Sequence, residues 1–329
     1  MATAPHRHAA HISAAFVALL PVCAMTACAQ TAALVPVRSG QALLPESILR
    51  ETCAAIDRAR ATLARRQGDD GLWTLADGTR TAFPALALCD PAAPASAREL
   101  EAALAAAEAR RAEHATKPWS PRTASEAVYA TLARLLHSGR GPDGLLATRL
   151  ARVKLDALPQ DDAALALAAL DSLGTPLDGG WAWLVNRLRA HRPADVESVA
   201  IAALARFNSG RSQDGIPARD VQEHLRWIAA RIHLGAPRRA EDPEPITPSA
   251  AFFIAALASQ LPRRAFLDDP SLLTYDWRNH LASRLVARQR VDPATGLHYW
   301  DSSPTPSAAG DAALRETAYA VMTLVILAE

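Results

Sequence analysis

Glu197-Ser-Val-Ala-Ile-Ala-Ala-Leu-Ala-Arg206, followed by Ser209-Gly-Arg-Ser-Gln-Asp-Gly-Ile216, decides the fold, because the chain carries the same unit once before. Upstream, Glu126-Ala-Val-Tyr-Ala-Thr-Leu-Ala-Arg134 is followed by Ser138-Gly-Arg-Gly-Pro-Asp-Gly-Leu145. With a one-residue gap, Leu-Ala-Arg matches Leu-Ala-Arg and Ser-Gly-Arg-x-x-Asp-Gly matches itself. Further Asp-Gly turns begin at Asp70, Asp143, Asp178 and Asp214, spaced 73, 35 and 36 residues apart. A period of 35 to 36 residues, with one double step, is the length of a helical hairpin. Apolar residues recur at helical spacing over 45–66, 97–112, 123–137, 161–173, 181–190, 195–207, 219–233, 248–260, 272–288 and 312–328. Gly or Pro punctuates the junctions, as at Gly139, Gly174, Gly210, Gly235 and Pro262. The pattern therefore predicts an all-α array. The Pro-rich stretch 236–248 reads as a loop inside it, because the helical pattern resumes at Ser249, and one domain over 45–329 is the simpler count.

Composition agrees. Hydrophobic residues make up 50% of the 329 residues and aromatics only 5%, a balance that suits Ala/Leu-rich helices and argues against an all-β chain. The formal charge is +1, with no basic block, so no nucleic-acid partner is expected. Residues 1–29 read as an export signal: Arg7 ahead of an apolar stretch from Ile12 to Met25, then small residues. Ala27 and Ala29 suit a cut before Gln30, whereas Met25-Thr26-Ala27-Cys28 resembles a lipobox that would lipidate Cys28. Residues 30–44 read as a linker, and beyond them no apolar run reaches membrane length. The expected location is the periplasm or cell envelope, with or without a lipid anchor. In that compartment Cys53 and Cys89 are a candidate disulfide, two isolated thiols being the alternative. No Cys-x-x-Cys or helical His pair offers a zinc site, His137, His224 and His298 lack ligand spacing, and neither metal nor cofactor is expected.

Gln67-x-x-x-Gly71-x-Trp73 resembles the glutamine-tryptophan repeat of the terpenoid cyclases, the superfamily that includes squalene-hopene cyclase and the β subunits of protein prenyltransferases. Gln289, with Gly296-Leu-His-Tyr-Trp300, is similar to a looser copy with an insertion, and Glu316-Thr-Ala-Tyr-Ala-Val-Met-Thr-Leu324 is similar to that family's last inner helix. The resemblance implies an α/α toroid of about six helical hairpins, with inner helices around a central cavity and outer helices around them. Gln67 and Trp73 are then structural, the amide bonding backbone groups at a helix end and the indole packing over the turn.

The acids that begin the inner helices, Glu126, Asp161, Asp162, Glu197 and Glu316, are the candidates for the cavity mouth. Helix dipoles alone also favour acids there, by about 0.3–1 kcal/mol. Glu126 with Tyr129 and Glu316 with Tyr319 form two i, i+3 pairs, in which each Tyr either helps hold a cation or fills core beside a solvated acid. Class II cyclases protonate an alkene with the central acid of Asp-x-Asp-Asp. Here Pro159-Gln160-Asp161-Asp162 puts Asp161 in that acid's place and Pro in the first position, and the chain is about half the length of a two-toroid cyclase. The zinc set of the prenyltransferases and the Cys-Gly-Glu-Gln of complement-type thioester domains are absent. Exported α/α toroids also include glycoside hydrolases and lyases, for which paired carboxylates with Trp119, Trp181 or Trp183 as sugar platforms would serve. The reading that fits best is an exported cyclase-like repeat protein whose cavity, walled by Ala, Leu and Val, binds an apolar isoprenoid or lipid or a polypeptide segment, without the complete cyclase chemistry. A class II-type cyclase using Asp161 is the first alternative and a glycan-cleaving toroid the second.

Overall fold

The computed structural model describes residues 44–88, 94–113, 120–138, 155, 158–172, 179–191, 195–210, 219–232, 246–260 and 277–328. Among them, ten helices follow one another: α1 (Glu46–Arg66), α2 (Pro94–Glu113), α3 (Pro121–Ser138), α4 (Gln160–Ser172), α5 (Gly180–His191), α6 (Val196–Ser209), α7 (Arg219–Ile232), α8 (Pro248–Ala258), α9 (Trp277–Ala287) and α10 (Asp311–Ala328). A six-residue 3₁₀ helix, Phe83–Leu88, lies between α1 and α2. Two short antiparallel hairpins complete the set: β1 (Trp73–Thr74) with β2 (Arg80–Thr81), and β3 (Arg290–Val291) with β4 (His298–Tyr299).

The sequence expects the helices but neither the hairpins nor the 3₁₀ helix. Six apolar residues interrupted by Pro84 show no period by which a helix is told from a strand.

Burial separates the helices into two kinds. On α7 the buried apolar residues are Val221, Leu225, Ile228 and Ala229, a single stripe at i, i+4, i+7 and i+8, so that helix has one face toward protein and one toward water. All eleven residues of α8 are buried, and the run Val199–Ala205 of α6 is buried without interruption. A helix apolar on all sides belongs inside.

The packing order turns this division into a ring. The 3₁₀ helix packs on α3, α3 on α4, α4 on α6, α6 on α8, α8 on α10, and α10 again on the 3₁₀ helix. The remaining helices lie outside these: α1 on α10 and the 3₁₀ helix, α2 on the 3₁₀ helix and α3, α5 on α4 and α6, α7 on α6, and α9 on α10 and α8. Along the described chain, outer and inner elements alternate except at α3 and α4, two inner helices in succession. That is the helical toroid the resemblance implies, with the 3₁₀ helix standing in for one inner helix. Arg60, a buried residue of α1, donates from Nε to the Ala87 carbonyl at 2.9 Å, supplying a partner that so short a helix lacks.

The two glutamine-tryptophan copies are built alike. Trp73 is fully buried and its Nε1 donates to the Leu63 carbonyl at 2.7 Å, four residues before Gln67. Trp300 donates to the Leu285 carbonyl at 2.8 Å, four residues before Gln289. Each indole thus bonds a carbonyl in the last turn of the helix before it, and that of Leu285 also accepts from the Arg288 amide at 3.1 Å. The glutamines reach sideways, not to a helix end as the sequence suggests. Gln67 Nε2 donates to Gly71 O at 2.8 Å and to Glu99 O of α2 at 2.7 Å. Gln289 Nε2 donates to Ala55 O of α1 at 2.9 Å, and its Oε1 accepts from Arg58. The first copy joins α1 to α2, and the second joins α9 to α1, tying the last outer helix to the first.

Gly71 is required twice over. Its φ is +79°, and a Cβ there would lie 2.3 Å from the Ala102 carbonyl oxygen of α2. Gly296, in the second copy, has φ +68° and open space around it.

Cys53 is a half-buried residue of α1, whereas Cys89, Cys28 and the whole of 1–43 lie outside the described residues. Among the described residues no helix is long and apolar enough to cross a membrane.

Candidate functional site

The first two turns of five inner helices converge at one mouth of the ring. At the centre of the group is Arg315, on α10. Its Nη2 donates to Asp162 Oδ1 at 2.8 Å and to Asp161 Oδ2, and its Nη1 donates to the Tyr129 hydroxyl at 3.1 Å. Asp162, whose side chain is 3% exposed, also accepts from Ser125 Oγ at 2.7 Å and from the Tyr129 hydroxyl at 2.6 Å. Asp161, 13% exposed, accepts from the Tyr319 hydroxyl at 3.0 Å, again on Oδ2. Two carboxylates, one guanidinium and two phenols therefore form one network drawn from α3, α4 and α10. In an interior of low dielectric each member depends on the others, because an unmatched charge there is costly.

Burial raises the Tyr129 and Tyr319 hydroxyls well above the ordinary phenol range, so both serve as neutral donors at neutral pH. Burial alone would lower the Arg315 guanidinium, but the facing phenols and aspartates outweigh it and hold the group more firmly protonated.

Below the acids the ring is floored with aromatics. The Phe83 ring lies 4.8 Å from Tyr129 and 4.9 Å from Tyr319, both edge-on, and Phe252 lies 5.4 Å from Tyr319. The Arg315 guanidinium sits 4.7 Å over the Phe83 ring and 5.7 Å from the Tyr319 ring, within cation–π range of both. These rings lie among the Ala, Leu and Val residues buried on the inner helices. The chain has few aromatics, but the 3₁₀ helix, α3, α8 and α10 all direct theirs to the same place.

The structure distributes the sequence's other acids differently. Glu126 and Glu316 do not join their tyrosines. Glu126 accepts from the Ala82 amide at 2.6 Å, fixing the approach to the 3₁₀ helix, and Glu316 accepts from the amide and hydroxyl of Ser302 at 3.1 and 2.7 Å. The phenols of the two Glu-x-x-Tyr pairs bond the aspartates instead and are buried, while their glutamates reach out to connecting segments. Glu197 faces the network from α6 and accepts from Ser249 Oγ of α8. Burial first, then the charges of Asp161 and Asp195, push its carboxyl up despite the Ser249 bond and Arg315. Burial likewise raises Glu316.

Trp181 and Trp183 lie on the outer helix α5, apart from this acid group, and Trp119 lies outside the described residues. Sequence reasoning missed Arg315, Ser125 and Ser249, and for Arg315 a signal existed: it stands four residues before Tyr319, on the same helix face. No group of three or more His, Cys, Asp or Glu among the described residues is arranged to hold a metal.

No protein-family model and no curated protein matches the chain. Among solved structures, it is similar to a variant of the type II terpene cyclase MstE from Scytonema, captured with its substrate geranylgeranyl dihydroxybenzoate. The two share 15% identity and a TM-score of 0.52 over 86% of this chain and 99% of that one. At this identity the likeness concerns the backbone alone: the chain has a terpene-cyclase-like, all-helical fold.

Proposed function

We propose that the protein is an exported cyclase-like repeat protein that binds an apolar molecule, an isoprenoid or lipid, or else a polypeptide segment, at the mouth of its ring, without carrying out the complete cyclase reaction. The observation that carries this reading is Arg315. An alkene-protonating site needs an acid with a proton to give and an aromatic seat free for the carbocation that follows. Here the guanidinium donates to both aspartates and occupies the seat over Phe83 and Tyr319 itself. Arg315 is 37% exposed, so a ligand entering the mouth meets it first, with the aromatic floor behind. Export follows from residues 1–29, with Cys28 as the lipidation candidate.

The test is to purify the mature protein from its own envelope, identify co-purifying molecules by native mass spectrometry with lipid extraction, and then incubate it with geranylgeranyl-type substrates. A retained apolar ligand with no cyclised product is expected. A cyclic product would overturn the reading.

One feature favours the cyclase alternative. Both recorded hydrogen bonds of Asp161 fall on Oδ2, leaving Oδ1 as the atom from which a proton would pass to an alkene, forming a C–H bond and a carbocation that later returns a proton to a base. That mechanism requires Arg315 to swing away, and it predicts that Asp161→Asn abolishes turnover while the protein stays folded.

A further inference from the structure

A second concave site lies on the rim, outside the acid network. The chain leaving α9 and the segment after β4 enclose, with the start of α8, a cavity of about 290 Å³ lined by Pro248, Leu285, Arg288, Arg290, Trp300 and Asp301, among others. Its apolar wall is rigid, since the Trp300 indole is buried and bonded to Leu285 O. Gln289, also in the wall, is committed to Ala55 and Arg58. The one carboxylate lining the cavity among the described residues, Asp301, is already bonded at both oxygens, Oδ1 by the Ser303 amide at 2.8 Å and Oδ2 by the Ser307 amide at 2.9 Å.

The cations are not matched in this way. Arg288 is half-buried and donates from Nη1 to the Ile246 carbonyl, a neutral partner. Arg290 is exposed on β3, where its charge helps hold the Asp301 carboxyl down, and the charge of Arg288 acts in the same sense on Glu316. Among the described residues, neither has a carboxylate within ion-pair distance. A guanidinium drawn partly out of water, as that of Arg288 is, and touching no anion has lost hydration that an incoming carboxylate or phosphate restores, and its planar fork matches either group.

We propose that this rim cavity binds a small organic anion, a carboxylate or phosphate on an apolar stem, with the charge held by Arg288 and Arg290 and the stem against Leu285 and Trp300. The volume sits at the lower edge of the range for small-molecule sites, which limits the occupant to a molecule of modest size. The site shares no charged residue with the Asp161–Asp162–Arg315 network, so its occupation and the mouth's are separable.

Calorimetric titration of the mature protein with benzoate, octanoate and inorganic phosphate tests this. Saturable one-to-one binding of at least one probe is expected, weakened about tenfold by Arg288→Gln and severalfold by Arg290→Gln, with Arg122→Gln as a distant control that leaves it unchanged. If the loss of the Ile246 contact unfolds Arg288→Gln, then Arg290→Gln, which breaks no side-chain hydrogen bond among the described residues, decides. Preference for phosphate over the carboxylates, or the reverse, identifies the anion class within the same site. Absence of saturable binding of all three probes, or affinities in both arginine variants equal to the unsubstituted protein's, overturns the proposal. An isoprenoid turnover result bears only on the mouth.

Discussion

Replacing Arg315 with Met keeps most of the side-chain stem and removes the charge that two aspartates share. Breaking a buried ion pair from one side costs about 3–5 kcal/mol, because the partner is left charged and uncompensated. Three features of this site reduce that figure. Arg315 is 37% exposed, so part of its interaction is screened by water. Asp162 keeps Ser125 and Tyr129 as donors, and Asp161 keeps Tyr319. The lost contact over Phe83 adds back about 0.5–1 kcal/mol. The net expectation is a loss of about 2–3 kcal/mol, read as a lower urea midpoint with unchanged slope and a fall in Tm of roughly 5–10 °C. The surface pair Arg122–Asp77, with side chains 43% and 57% exposed, is the control, and Arg122→Met is expected to shift stability by less than about 0.5 kcal/mol. Adding Asp162→Asn to Arg315→Met removes the most deeply buried of the orphaned charges and is expected to recover about half of the loss. If Arg315→Met lies within about 0.5 kcal/mol of the unsubstituted protein, or if the double variant is worse than the single by the full cost of Asp162→Asn, the network is not what holds the mouth together.

The remaining predictions concern the repeat and the acids. Gly71→Ala is expected to cost more than about 3 kcal/mol in chemical denaturation, whereas Gly78→Ala, at a similar φ of +76° but with nothing within 4 Å, costs only about 1–2 kcal/mol; equal losses would remove the close approach to α2 as the reason for Gly71. Gln289→Leu leaves the Ala55 carbonyl and Arg58 without this partner and is expected to lose about 1–3 kcal/mol, with hydrogen exchange accelerated in α1 and α9 together; protection lost in α9 alone would sink its role as the clasp between them. Glu197, raised by burial, binds more protons folded than unfolded between its ordinary and its raised values. Its contribution is therefore full below the ordinary glutamate range and lost as pH rises through the raised value. Glu197→Gln removes that slope, so the variant gains on the unsubstituted protein as pH rises above the ordinary glutamate range, and parallel stability curves would count against the shift.

How much of this was written locally decides how much a reader of the sequence can recover. The outer helices were legible because each must solve its own burial problem with its own residues, and α7 carries its whole answer in the spacing of Val221, Leu225, Ile228 and Ala229. Gln67 and Trp73 were legible for the same reason: the Leu63 carbonyl that Trp73 satisfies is ten residues away. The helix Gln67 clasps was not, since Glu99 lies 32 residues on and nothing between marks it as the partner. The same limit applies more strongly at the mouth. The fold places Asp161 and Asp162 at the start of an inner helix, which the repeat predicts, but what the aspartates can do is set by Arg315, 154 and 153 residues away. An arginine near the start of a helix that also carries Glu316 reads from sequence alone as surface. It becomes the counter-ion of two aspartates only once the ring closes and α10 packs against the 3₁₀ helix. The scaffold is thus specified by short-range patterns, whereas the surroundings of the two aspartates rest on long-range contacts with Arg315, Tyr129 and Tyr319. In a ring of helical hairpins, a side chain at that closure can change what the site does while the fold stays the same.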